Sequence, residues 1–393
     1  LGRLLDHPLD WAAILRRANV HLTTPLLRWN LAGIGALDRL PAKFRHELDE
    51  SSHTWAARHL ALVSEARRLT AALDAAGITA IPLKGAALML GGYYPGAGQR
   101  AALDLDLLVD PARIEDAEAV AASCGFRPLP GRRDVRPRQR LENERNHRWP
   151  QRGASGVVLE LHHRAFHFVP GERDLSFDDI RGRAKATPDG LLLPCAADLA
   201  LHLIHHTMVD LQSTHAIPRT LADLHFLFAR EPQAREDTMS RARDFGFAGA
   251  ARLVQEALAL LAEGRLDEMA DGGDLSLWLE TALLDSPRAL AETARVLEYL
   301  DFSRHPLRRM GDLLSLAFPS RSHLEQIYGA PGTRAPLSAR DGETGRAGGI
   351  AHPSRVFLNY LRRPIDLMRR FPWASLSPGN LRRVRRLRRS ALD

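Results

Sequence analysis

The sequence predicts an α+β fold, a small α/β-type sheet embedded in mostly helical flanking regions. Three observations carry this. Apolar residues recur at helical spacing before residue 76 and again after about residue 190. Between them, short apolar runs at 78–83, 103–109 and 157–161 alternate with segments of helical composition. The chain, at 393 residues, is long enough for two domains or for one domain with a large helical partner.

Residues 1–76 read as helices. The clearest runs from Ser51, with Trp55, Leu62, Ala66, Leu69 and Leu73 on one apolar stripe. Ser51 or Ser52 caps its start, and Gly77 stops it. Residues 78–83 follow as a buried strand, then a turn at Lys84-Gly85 and a short helix around 86–90. Residues 103–109 form a second strand, with Leu103, Leu105 and Leu107 facing a core. Pro111 opens a helix over 112–123, and Gly125-Phe126 ends it. Residues 157–161 form a third strand. The expected core is therefore 77–165, followed by a helical region over 166–328.

Residues 329–350 are rich in Gly, Ala, Arg and Pro and read as a flexible linker. Residues 351–393 form a basic C-terminal helix and tail, in which 352–373 could dock back as a helix. Leu381, Val384 and Leu387 alternate there with six arginines. That end is either a contact for an anionic partner (membrane, nucleic acid or acidic protein) or a disordered solubilising end.

Composition excludes several classes. With 45% hydrophobic and 26% charged residues, the chain is neither disordered nor collagen-like. No apolar run is long enough for a transmembrane helix. Asp6, Asp10, Arg16 and Arg17 break up the N-terminal segment, which does not read as a signal peptide, so a cytoplasmic protein is expected. Cys124 and Cys195 have no CxxC partner and read as two free thiols. The net charge of +7 comes from the tail: residues 351–393 hold eleven arginines and two acids. Only three lysines occur, so arginine counts reflect a codon bias before they reflect nucleic-acid binding. The segment 127–152, with nine arginines against three acids, either lines an acceptor or anion site or is a solvated hairpin.

The residues that carry chemistry are Asp104 and Asp106. Two apart on a strand, they project to one face, where two carboxylates repel unless a cation joins them. Hard oxygen ligands beside a phosphate substrate suit Mg²⁺. Upstream, Lys84-Gly85-Ala86 leads from a strand into a helix, a place where backbone amides can approach a phosphate. Downstream, Leu159-Glu160-Leu161 puts a third carboxylate on an apolar strand, where it needs a metal or a cation.

With Leu83-Lys84-Gly85, then Arg100 and Asp104-Leu105-Asp106, then Glu160-Leu161-His162, the chain resembles the nucleotidyltransferase superfamily of polymerase-β-like fold. More narrowly, it resembles the bacterial group called NTP-transferase-5, over roughly residues 10–230 and more faintly to 375. Ala86 stands where the superfamily signature has a serine. The resemblance implies a small mixed sheet and Mg²⁺ (or Mn²⁺) held by Asp104, Asp106 and Glu160. Glu160 would be ligand or base. It also implies in-line transfer of an NMP from an NTP such as ATP to a hydroxyl or phosphate acceptor. Lys84, Gly85, Ala86 and Arg100 would contact the nucleotide. Arg219 and Asp223, four apart on a helix, would belong to a helical domain closing over it, or form a surface ion pair. His162 and His206 would stand behind the metal site or on the acceptor side. His202 with His205 or His206 has metal-compatible spacing but lacks a zinc motif, and buried, hydrogen-bonded histidines are expected.

The acceptor stays open: a small molecule, sugar, peptide, protein or RNA end. Two other functions fit the same residues, transfer from a nucleotide-sugar donor and non-catalytic binding of a nucleotide or anion. Product mass separates the first, and Mg²⁺-dependent nucleotide binding without consumption separates the second.

Overall fold

The computed structural model describes residue 5 and residues 7–129, 150–166, 175–209, 216–265, 273–282 and 377–392. Most of the 127–152 arginine block, the end of the helical region, the 329–350 linker and the 352–373 helix lie outside the described residues.

Helices α1 (Trp11–Val20) and α2 (Thr24–Gly33) lead into the long α3 (Ala42–Ala75). Leu15, Leu31, Phe44 and Leu48 pack together as a first core. The α3 helix thus starts after Pro41, not at Ser51. Proline ends the preceding segment, and Phe44 and Leu48 extend the apolar stripe upstream, so the helix runs through the serines without a break. Gly77, at φ 69°, lets the Ile78 N–H reach the Leu73 carbonyl at 2.9 Å and stops the helix where the sequence places its end.

The sheet follows. Strand β1 (Ala80–Pro82) and helix α4 (Lys84–Leu90) precede β2 (Asp104–Val109). A 3₁₀ turn at Pro111–Arg113 opens α5 (Ile114–Ser123). Then come β3 (Arg127–Pro128), β4 (Gln151–Arg152) and β5 (Val158–His162). The strand order is β1-β2-β5-β4-β3, with β2 and β5 parallel and the other pairs antiparallel. It is the mixed sheet that was expected, but β3 and β4, two residues each, leave no periodic trace in the sequence. Leu103 does not face the core: it precedes β2 and is 53% exposed, because the strand's alternation begins only at Asp104.

Each face of the sheet has its own surroundings. Leu105, Leu107, Val109, Leu159 and Leu161 pack on Leu62, Leu69 and Leu73 of α3 and on Ile114, Ala117 and Ala121 of α5. The opposite face, carrying Asp104, Asp106, Glu160 and His162, looks toward the helical half, whose core Leu108 joins.

That half starts with α6 (Phe177–Arg183) and the hairpin β6 (Lys185–Ala186) and β7 (Leu192–Leu193). Helix α7 (Ala196–Ile204) continues into a π-turn at His205–Val209. Helices α8 (Ile217–Arg230), α9 (Gln233–Asp244), α10 (Ala248–Glu263) and α11 (Asp274–Ala282) follow. Asp198 of α7 is fully buried and takes Arg183 of α6 and Arg241 of α9, tying three helices with one carboxylate. Both cysteines are free thiols.

The basic end of the chain is helix α12 (Pro378–Leu392). Val384, Leu387 and Ala391 enter the core, Trp278 donates to the Ser390 hydroxyl at 3.1 Å, and Arg383 and Arg386 pair with Glu280 and Asp274. Among the described residues, no helix is long and apolar enough to cross a membrane.

Candidate active site

The site forms where β1 ends beside β2. The Leu83 N–H donates to the Asp106 carbonyl at 3.0 Å, which sets the next residue, Lys84, against the Asp106 side chain. Lys84 opens α4 with φ 46°, a left-handed conformation that only Leu22 shares among the described non-glycine residues. Its Nζ lies 2.7 Å from Asp106 Oδ1.

The parallel register of β2 and β5 supplies the other groups. Asp106 is paired with Glu160, Asp104 with Val158, and Leu108 with His162. Asp104, Asp106, Glu160 and His162 therefore share one face. His162 Nε2 lies 2.8 Å from Asp106 Oδ1 and 3.8 Å from Glu160 Oε2. Asp106 and His162 are closed off, at 1% and 0% side-chain exposure, while Lys84 and Glu160 keep 14% and 20%. Ligand atoms of Asp106, Glu160 and His162 all lie within 4.8 Å of one another, close enough for one cation. Of the sequence-based metal candidates, Asp106 and Glu160 lie in this group with His162, and Asp104 stands two residues before Asp106 on β2.

Charges follow this packing. Burial and the neighbouring Asp106 and Glu160 push the Asp104 carboxyl up to about 7, against the pull of Lys84 and Arg219. Burial acts the same way on Asp106, but Lys84 and the His162 hydrogen bond outweigh it and hold this carboxyl well below the usual range. Burial would lower the Lys84 ammonium. Asp106, Glu160 and Asp104 overcome that and keep it charged, above its ordinary value.

Helix α8 of the helical half reaches the loop before β2. Arg100, in the loop before β2, donates from Nε to Asp223 Oδ1 at 2.6 Å and from Nη2 to Asp223 Oδ2 at 2.8 Å. Arg100 also donates to the Ala101 carbonyl, and the Tyr94 hydroxyl donates to Asp223 Oδ1 at 2.6 Å. Asp223 therefore pairs with Arg100, not with Arg219 on its own helix. The Arg219 Nε is buried with no hydrogen-bond partner among the described residues. Burial and the nearby Arg100 lower the Arg219 guanidinium to about 10, against the pull of Asp223 and Asp104.

Gly85 and Ala86 sit under this cluster. Ala86 lies in the core behind the sheet. A Cβ on Gly85 would come within 2.9 Å of Ala102 Cβ and 3.3 Å of Arg100 Nη1, so the glycine lets α4 pack against the Arg100 loop. What both residues can turn toward a ligand is backbone.

His162, His202 and His205 are buried, and His206 is half-buried. Neither ring nitrogen of His202 has a partner among the described residues, and its ring stacks with that of His206 at 6.3 Å between centroids. Burial drives His202 and His206 well below the ordinary imidazole value, and His205, stacked on Phe166, down to about 3. Tyr94 had no place in the sequence-based site, where the available signal was a tyrosine in a glycine-punctuated loop, and His202 entered only through its spacing to His205 and His206.

A cleft of about 490 Å³ opens at the other end of α4, between Leu90, Tyr93, Lys185, Arg230 and Glu231. Most of its charges are paired within it: Lys185 with Glu231 and Arg67 with Asp189, while the Tyr93 hydroxyl donates to Glu231 and Arg230 donates to the Gly92 carbonyl.

A family model described as an uncharacterised nucleotidyltransferase matches residues 7–263. No curated protein and no solved structure matches the chain.

Proposed function

The chain belongs to that uncharacterised nucleotidyltransferase family, and from this premise we propose that it transfers an NMP from an NTP to a hydroxyl or phosphate acceptor with Mg²⁺ or Mn²⁺. The observation that carries the reading is the β2–β5 register, which sets Asp106 beside Glu160 with Asp104 on the same face.

Asp106 and Glu160 offer a divalent cation hard oxygen ligands, which suit Mg²⁺ or Mn²⁺, with His162 beside them and bonded to Asp106. Asp104 extends this set toward the nucleotide. When bound, the cation neutralises the triphosphate and the departing pyrophosphate. The chain's own groups do the rest. Glu160, the one acid on β5 and 20% exposed, takes the proton of the acceptor hydroxyl as its oxygen attacks the α-phosphorus. The bond from the α-phosphorus to the bridging oxygen breaks, and pyrophosphate leaves. Arg219 meets the triphosphate, since Lys84 and Arg100 are already engaged by Asp106 and Asp223. In this reading the backbone amides of Gly85 and Ala86, at the start of α4, contact the same triphosphate. His162 fixes Asp106, and His206 stands on the acceptor side.

In this reading 77–165 is the catalytic core and the helices after 166 close over it. An NTP donor and two free thiols fit a cytoplasmic setting. The exposed Arg382 and Arg385 of α12 are where an anionic partner would lie.

Product mass tests the donor. Protein incubated with the four NTPs, Mn²⁺ and host extract is expected to yield an acceptor heavier by one nucleotide. A hexose adduct obtained only from nucleotide-sugars would replace this reading.

A further inference from the structure

We propose that Lys84 is a tethered cation that occupies one of the positions a three-carboxylate platform would otherwise give to metal, so that this site takes a single divalent ion. The inference rests on the nucleotidyl-transfer reading and concerns how that site is charged.

Four observations lead to it. Asp106 Oδ1 is within 2.7 Å of Lys84 Nζ and 2.8 Å of His162 Nε2, so this oxygen is already saturated by two nitrogens. The pair is internal, and pulling Lys84 away would strand a buried carboxylate. The backbone is strained to achieve it: Lys84 sits at φ 46°, and the flexible glycine is the next residue, not this one. Strain of this kind persists where the surroundings enforce it. Finally, Asp104 has no hydrogen bond or ion pair among the described residues.

Charge arithmetic then fixes the count. Lys84 cancels one of the three carboxylates. One divalent cation at Glu160 and the free oxygen of Asp106, with Asp104 beside it, cancels the other two. Arg219 is left for the anionic substrate. A second divalent ion would find no vacant oxygen on the inner side of Asp106 and would meet the ammonium there.

Titration of the full-length protein with Mn²⁺, with free Mn²⁺ read by electron paramagnetic resonance, counts the ions. Wild type is expected to bind one Mn²⁺ per chain. Lys84→Met is expected to bind two, and Lys84→Arg, which keeps the charge, one. Lys84→Gly relieves the strain at φ 46° and gives a second charge-free variant that is expected to match Lys84→Met. Two ions in wild type, which needs no variant, overturn the proposal, and so does an unchanged count in folded Lys84→Met and Lys84→Gly. No Mn²⁺ bound by wild type at any concentration would overturn the metal-dependent reading itself, and this proposal with it.

Discussion

Arg100 and Asp223, far apart in the chain, form a two-pronged ion pair at 2.6 and 2.8 Å in which both side chains are buried. It fastens the loop before the carboxylate strand to α8, with the Tyr94 hydroxyl as a third member. A buried pair is costly to break from one side, because the remaining charge is left unpaired. Asp223→Ala is expected to lose about 3–5 kcal/mol of stability by urea denaturation. Tyr94→Phe, which removes one hydrogen bond to a charged group, is expected to lose about 1.5–3 kcal/mol. A loss below about 0.5 kcal/mol for Asp223→Ala would mean the pair does not hold the two halves together.

Arg219 should behave in the opposite way. Its buried Nε has no acceptor and its charge is held in place against desolvation. Arg219→Ala is therefore expected to leave the midpoint of unfolding unchanged or raised, while weakening NTP binding at least about tenfold, the worth of a charge-assisted hydrogen bond to phosphate. Calorimetry on the variant with each NTP checks this. Lost stability with unchanged NTP affinity would make Arg219 a structural residue.

Asp104 gives the pH dependence. Its carboxyl is raised from 3.8 to about 7 in the folded protein, so between those values the folded state binds more protons than the unfolded state. Stability is thus expected to fall as pH rises from 4 to 7, by at most on the order of 4 kcal/mol. Asp106 acts in the other sense. Its carboxyl is held below the usual range, so its contribution is present above that range and is lost as pH falls through it. Denaturation curves for wild type and Asp104→Asn across pH 4–7 separate the two: the decline should vanish in Asp104→Asn. Added Mn²⁺ should also flatten it in wild type. A decline of equal size in Asp104→Asn would assign it elsewhere.

Much of this site was legible in the sequence because it is local. Asp104 and Asp106 share a face by strand alternation alone, and Leu105 and Leu107 fix which face is apolar. Gly77 marks the end of α3 by its left-handed turn. What could not be read is pairing between distant segments. The register that joins Asp106 to Glu160 depends on cores on both sides of the sheet. Asp223 looked like a partner for Arg219, since both are on one helix, but buried Arg100 and Tyr94 compete for it from another segment. Ser51 looked like a helix cap because a serine inside a long helix has the same local sequence as one before a short helix. The sequence pattern points Lys84 at the triphosphate. Its place on Asp106 comes from one backbone hydrogen bond at the end of β1.

The central claim is that Asp104 and Asp106 carry nucleotidyl transfer. The most direct measurement is incubation with α-labelled ATP, GTP, CTP and UTP in Mg²⁺ and in Mn²⁺, with host extract as the source of acceptors. Wild type, Asp104→Asn and Asp106→Asn are compared after circular dichroism has shown each to be folded. The expected result is a labelled product from at least one NTP in wild type, reduced at least about 100-fold in either variant, beyond the 10–100-fold typical of groups behind a metal site. A labelled product formed equally well by folded Asp104→Asn and Asp106→Asn would contradict it.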